Sequence, residues 1–335
     1  SNKADMYVII SEFYQNLVAR GKQHCFPEWE FIPETYNLRQ YDQCRKFFYQ
    51  VFPRLLEDPN AERYFIKDGN RHAGAGVHIL TRDLATESWL SYKFGVNCGQ
   101  PQLPDLVAQR EKTNLYLLDG RKSDIRNYSM VLSVKPLYMV MSPDFFFRRT
   151  QSQFSTTSSN LQDVLTQFVG NSGSKEEIDE AYVSKEEWIS YLEKEHGSRE
   201  VGLQKLQETA KKMQNLATKL FMMVYKKMPK YANAGDIFHI LGWDFMLDEA
   251  LNPCWLETNG RPQTKKDYFE AASRQPVYMA SFLDRMVRGE KASELDLNAF
   301  DGKQFTPLID FTKENDSDKF FGNIPEDCVS EFLLQ

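Results

Sequence analysis

One stretch of this sequence restricts the possibilities more than any other. Ile237 to Leu247 and Cys254 to Thr258 read as two strands, with Asp248-Glu249-Ala250-Leu251-Asn252-Pro253 as the turn between them. Side chains two apart on a strand face the same side, so Glu257 and Asn259 point together, and Asp244 on the paired strand is positioned to converge with them. Two carboxylates and an amide oxygen form a hard, all-oxygen donor set. Such a set suits Mg²⁺ shared with nucleotide phosphates. An ion held there neutralises phosphate charge and polarises a transferred phosphoryl group. The spacing alone is equally that of a polar hairpin with a solvated face.

Two further segments carry charge where strands are expected. Arg63 to Lys67 reads as a strand that enters a small-residue loop, Asp68 to Gly76, and leaves it through Val77 to Leu80. This is strand, glycine loop, strand, and not the strand–loop–helix of a P-loop or dinucleotide turn. Lys67 at a strand end can pair with a phosphate as a point charge, and Gly69, Gly74 and Gly76 let backbone N–H groups approach one closely. An ordinary flexible hairpin loop has the same composition. The run Asp119-Gly120-Arg121-Lys122-Ser123-Asp124-Ile125-Arg126 puts Lys122, Asp124 and Arg126 on one side of any strand. Those charges need partners if buried, and an edge strand with a solvated face is the alternative.

Around these segments the pattern is mixed. Helices are expected over 5–20, 40–57, 202–228 and 265–288, and strands over 115–118 and 124–141. Ser184 followed by Glu187 is a capping-box signature for a further helix. The helix over 202–228 has one apolar stripe, Leu203, Leu206, Ala210, Met213, Leu216, Leu220 and Met223, read as core. Residues 151–175 read as a loop, and 289–335 as a polar, irregular extension.

Net charge is −6, which argues against a general nucleic-acid binder. No apolar run reaches the roughly 20 residues needed to cross a bilayer, so no membrane partner is expected. The cysteines Cys25, Cys44, Cys98, Cys254 and Cys328 are odd in number with no CxxC pair, so neither a disulfide framework nor a zinc site is expected, and an intracellular, reducing setting is favoured. Ser1-Asn2, with no initiator Met, is compatible with an expression scar on a natural chain that begins earlier.

The three charged segments, in this order, resemble the tubulin–tyrosine ligase family. The likeness runs from about residue 28 to about residue 262. Phe31-Ile32-Pro33-Glu34-Thr35-Tyr36 resembles the segment that leads into the family's nucleotide lobe. Ile66-Lys67 followed by Gly74-Ala75-Gly76-Val77 is similar to its Ile-Lys-Pro and Gly-x-Gly-Ile pattern. Gln109-Arg110-Glu111-Lys112 falls where the family binds adenine. Gly120 to Arg126 is similar to Gly-Arg-Lys-Phe-Asp-Ile-Arg, and Arg148 sits where a further substrate-facing arginine is expected. Asp244, Glu257 and Asn259 match three metal ligands. Asp68, Ala73, Arg110, Thr156-Thr157-Ser158 and Gly260-Arg261 depart from the pattern, but none of them is a metal ligand.

The resemblance implies an α/β (α+β) ATP-grasp fold, with two lobes of mainly antiparallel sheet and flanking helices enclosing ATP. The lobes are expected over 61–118 and 119–290, after an N-terminal segment 1–60 and before an extension 291–335. It implies an ATP-dependent ligase that joins tyrosine, glutamate or glycine to a protein carboxylate through an acyl phosphate. Lys67, Gly74, Gly76, Gln109, Arg110, Glu111, Lys112, Lys122 and Asp124 would hold ATP. Asp244, Glu257 and Asn259 would hold Mg²⁺, as two ions, and Arg126 and Arg148 would serve catalysis. The implied acceptor is the tubulin C-terminal tail or another protein, the implied chain a cytoplasmic monomer working at microtubules or cilia. A degenerate ATP-grasp that binds without turnover is the alternative.

Overall fold

The structure is a computed structural model. It describes residues 3–57, 63–68, 77–80, 98, 106–154, 180–225, 239–260, 262, 270–298, 304–312, 320–321 and 324–333. Its framework is two antiparallel sheets. The smaller has four strands, β1 (Thr35–Asn37), β2 (Tyr64–Asp68), β3 (Val77–Leu80) and β4 (Leu106–Arg110), in the order β1-β4-β2-β3. One face is apolar: Tyr36, Tyr64, Ile66 and Ala108 pack on Phe47, Phe48 and Phe52. Those three aromatics come from the segment spanning α2 (Tyr41–Lys46), a π turn at Phe47–Val51, and α3 (Phe52–Glu57). The helix expected over 40–57 is thus continuous in direction but widened by one turn.

The larger sheet has seven strands. β5 (Ser123–Val134) and β6 (Leu137–Arg149) form a long hairpin at its centre. β8 (His239–Leu247) and β9 (Pro253–Asn259) continue it on one side, β10 (Thr306–Asp310) and β11 (Phe320–Phe321) on the other, and β7 (Tyr182–Ser184) pairs with the end of β6. The turn from β8 to β9 is built by Asp248, whose Oδ1 accepts from the backbone N–H of Ala250 and Asn252 at 3.0 and 2.7 Å. This closes the chain on itself, as Asp does in turns.

Alternation decides what each face of this sheet does. Ile125, Phe145, Phe147, Trp243, Phe245 and Trp255 face one way, into a core with α1 (Lys3–Ala19), α4 (Lys185–His196) and α5 (Arg199–Tyr225). Helix α4 starts at the expected capping box, Ser184 with Glu187. Helix α5 buries Leu206, Met213, Leu216, Leu220 and Met223 as its stripe implied, although Leu203 at its start is exposed. Tyr128, Met130, Leu132 and Phe146 face the other way and are covered by Tyr278, Met279 and Phe282 of α6 (Glu270–Val287).

Two expectations are corrected. The segment after residue 289 is not irregular throughout. Strand β10 extends the central sheet against β6, and α7 (Glu326–Leu333) packs Cys328 and Phe332 into the main core. Isolated polar residues in the sequence hid these short elements. The cysteines also pair: Cys25 with Cys328 across 303 residues, and Cys44 with Cys98 across 54. Sequence spacing reports only neighbours along the chain, and the fold alone brings these sulfurs together. Among the described residues, no helix is long and apolar enough to cross a membrane.

Candidate active site

The charged ends of the two sheets face each other. On the larger sheet, Arg126, Asp244 and Glu257 are directly cross-strand on β5, β8 and β9. They therefore share one face, the same face on which Tyr128, Met130 and Leu132 meet α6 further along β5. Strand β5 is central, so the alternative of a solvated edge is excluded: Lys122, Asp124 and Arg126 are all buried. Gly242, two residues before Asp244, lets Pro262 pack directly on this face. A Cβ there would come within 2.7 Å of Pro262 and 3.6 Å of the Arg126 stem.

The three expected metal ligands do converge. The Asn259 amide donates from Nδ2 to Glu257 Oε1 at 2.9 Å and to Asp244 Oδ2 at 3.3 Å. A half-turn of that amide presents Oδ1 to the same point, which completes a set of hard oxygen donors and fits Mg²⁺.

Behind them lies a buried ion network. Arg126 grips Asp244 through Nε and through Nη2, the latter at 2.8 Å to Oδ2. Arg148 makes two 2.7 Å bonds to Asp124 and reaches Asp244 Oδ1 at 3.2 Å. Burial would raise the Asp244 carboxyl, but Arg126 and Arg148 outweigh it and hold the group down at about 2. Asp124 is pushed up to about 6, by burial and by the neighbouring Asp244 charge against the pull of Arg148. Both arginines expected to serve catalysis are thus engaged by carboxylates, and Asp124 is engaged by Arg148.

The smaller sheet presents Lys67, Gln109 and Glu111. Lys67 Nζ donates to Gln109 Oε1 at 2.5 Å. Glu111 is buried in ion pairs with Arg63 at 2.5 Å and Lys122 at 3.8 Å. Arg110 is exposed on the opposite side of β4, and Lys112 donates to the Glu30 carbonyl at 3.0 Å. Lys122 lies over the rings of Phe65 and Phe154, 4.8 and 5.6 Å from their centres. Burial pushes its ammonium down to about 8, with Glu111 pulling it up and Lys67 and Arg63 pressing it further down. Among the described residues it is a buried cation ion-paired with one carboxylate, Glu111, and suited to an incoming anion. Gly74 and Gly76 lie outside the described residues.

A residue that the sequence reading missed joins the two halves. Tyr7 of α1 packs against Trp255 with the rings tilted by 42° and their centres 4.5 Å apart. Its hydroxyl donates to the Leu256 carbonyl and accepts from Gln109 Nε2, the latter at 2.5 Å. Leu256 is the extra residue of a bulge between β8 and β9, where the register shifts after Asp244. A chain of hydrogen bonds thus runs from Lys67 through Gln109 and Tyr7 to the residue beside Glu257. Nothing in the helix pattern of residues 5–20 distinguishes Tyr7 from its apolar neighbours.

The tubulin-tyrosine ligase family description matches residues 3–287. The chain is 25% identical over 279 residues to tubulin glycylase 3E of Tetrahymena thermophila, covering 82% of this chain and 18% of that protein. It is 25% identical over 266 residues to the probable tubulin polyglutamylase ttll-9 of Caenorhabditis elegans, covering 77% and 59%. It is 28% identical over 247 residues to the protein polyglycylase TTLL10 of Rattus norvegicus, covering 70% and 34%. The chain spans less than two thirds of the length of each of these relatives. With two antiparallel sheets, their flanking helices and 285 consecutive residues matched, this chain belongs to the tubulin-tyrosine ligase family.

Proposed function

We propose that this chain is an ATP-dependent ligase that joins the amine of an amino acid to a carboxylate on a protein. The observation that carries this reading is the face where Asp244, Glu257 and Asn259 converge, backed by Arg126 and Arg148 and opposed by Lys67 and Lys122. Hard oxygen donors beside buried cations are what a nucleotide triphosphate requires.

Gln109 to Lys112 would border the adenine, and Lys67 and Lys122 would meet the phosphates. Asp244, Glu257 and Asn259 would hold Mg²⁺, as two ions, which would supply charge neutralisation at the γ-phosphoryl group. The acceptor carboxylate takes that group from ATP as the β,γ-phosphoanhydride bond breaks, ADP is released, and the carboxylate becomes an acyl phosphate. The amine then attacks the acyl carbon and phosphate leaves. Arg126 and Arg148 would orient the acceptor and meet the negative charge that builds on the acyl oxygens. Preorganised donors in a buried site make that stabilisation large, and the arginines are fixed beforehand by Asp124 and Asp244. No side-chain nucleophile is needed.

The relatives' names support glycine and glutamate ahead of tyrosine as the amino acid, and tubulin as an acceptor, which would bring the chain to cytoplasmic microtubules or cilia. A second acceptor, a protein other than tubulin, is favoured by the two disulfides. The deciding experiment is incorporation of labelled glycine, glutamate and tyrosine into purified tubulin with ATP and Mg²⁺, beside a Glu257→Gln control. Incorporation that the control abolishes supports the ligase and names its amino acid. ATP binding without transfer to tubulin or to any other protein supports an inactive binding module.

A further inference from the structure

We infer that this chain matures in an oxidising compartment, and, resting on the ligase reading above, that its acceptor is a secreted or lumenal protein of that compartment and not cytosolic tubulin. The inference starts from the cysteines. Four of the five are joined in two bonds. Cys25, in a turn after α1, and Cys328, on α7, are fully buried, and their Cα atoms stand 5.3 Å apart. Cys44 on α2 is likewise fully buried, 5.6 Å by Cα from Cys98. Both separations fall in the range that a disulfide requires. Two such meetings in one chain, one of them across 303 residues, are not a consequence of local sequence.

The remaining cysteine fits the same history. Cys254 is buried in β9, and burial pushes its thiol up to about 12, so it stays protonated and out of exchange. The described residues therefore offer no exposed thiol, and three of the four partnered cysteines are fully buried, with Cys98 partly buried against the core of the smaller sheet. Each bond forms when two thiols give up two protons and two electrons to a disulfide-exchange oxidant. Secretory compartments supply such oxidants, and the cytosol reverses the reaction. A protein whose N-terminal core is tied to its last helix by such a bond has the design of one that folds where the bond persists. Tubulin resides in the reducing cytosol and does not meet it there.

The same place in the fold sets the competing outcome. His24 and Asp327 flank the first pair, and the ligand atoms of His24, Cys25, Asp327 and Cys328 lie within 4.8 Å of one another. With the bond reduced, these four would suit a zinc ion.

The test expresses the full chain in eukaryotic cells, once behind a cleavable secretory signal and once in the cytosol. Thiols are blocked at lysis, free thiols are counted after denaturation, and cross-linked peptides are identified without reduction. The secreted form should show one free thiol, rising to five on reduction, with Cys25 linked to Cys328 and Cys44 to Cys98. With ATP, Mg²⁺ and labelled glycine or glutamate, it should label the lumenal protein fraction of the same cells at least tenfold more than purified tubulin. A Cys25→Ser, Cys328→Ser double variant should lose yield in the secretory route only. Five free thiols in folded, ATP-binding protein from the secretory route, or one zinc retained per chain there, overturns the inference. Preferred labelling of tubulin overturns its acceptor half. Both bonds formed with ATP-dependent transfer to neither acceptor sinks the ligase reading and leaves the compartment standing.

Discussion

Replacing Tyr7 by Phe removes one oxygen from the seam between the two sheets. The ring keeps its place on Trp255, so packing is preserved. What is lost is the hydroxyl that donates to the Leu256 carbonyl and accepts from Gln109. Burial holds that phenol well above the ordinary tyrosine value, so in the native protein it is a neutral donor throughout the working range. Gln109 Nε2 retains Thr35 Oγ1 at 3.1 Å, which leaves the Leu256 carbonyl as the group that loses its partner. A buried polar group left unsatisfied costs about 1–3 kcal/mol. For a chain of 335 residues, with an unfolding entropy of about 2 cal/mol/K per residue, that lowers Tm by roughly 1.5–4 °C. The functional effect is separate. Gln109 no longer ties Lys67 to the strand of Glu257, so affinity for ATP with Mg²⁺ should fall about tenfold, equivalent to about 1.4 kcal/mol, with a smaller change in kcat. Calorimetric melting and ATP titration measure the two, with Tyr7→Leu as the variant that also loses the ring. A Tyr7→Phe protein that melts and binds ATP like the parent would refute the bridge.

Lys122 gives a pH prediction. Its native value, about 8, lies below its ordinary 10.5, so between these limits the unfolded chain holds a proton that the native chain has released. Stability attributable to this group therefore rises with pH across that window, by at most about 3 kcal/mol, and the full cost of the buried charge applies below pH 8. Lys122→Met should be more stable than the parent at pH 7, lose that rise in urea melts between pH 8 and 10.5, and lose ATP binding; parallel pH profiles for the two proteins would contradict this. Asp244→Asn keeps the shape of the side chain but leaves Arg126 and Arg148 with Asp124 as their one anionic partner in that network, and breaking a buried pair in this way should cost about 3–5 kcal/mol in a denaturant melt without any ligand. An unchanged midpoint would show that water reaches these arginines.

Much of the site was legible because its signals are local. The i, i+2 alternation of Glu257 and Asn259, the turn at Asp248 to Pro253, and the one-sided charges of Asp124 and Arg126 follow from strand geometry alone. The capping box at Ser184 and most of the stripe on α5 were equally plain, since each interaction spans four residues or fewer per step. Partners distant in sequence were not legible. The charges on β5 called for partners if buried, but which carboxylates supply them, 24 and 118 residues away, followed only from the fold. Tyr7 carried no pattern at all, because its partners are Gln109 and Leu256.

The sequence by itself determined the strand and helix periods, the donor chemistry of the oxygen cluster and the family likeness, all of which are properties of neighbours along the chain. Only the tertiary structure decided that β5 is central and its charges buried, that Tyr7 ties the two sheets together, and that Cys25 meets Cys328. Contacts across a hundred or more residues depend on how whole faces pack, and a one-dimensional pattern holds no record of which face meets which.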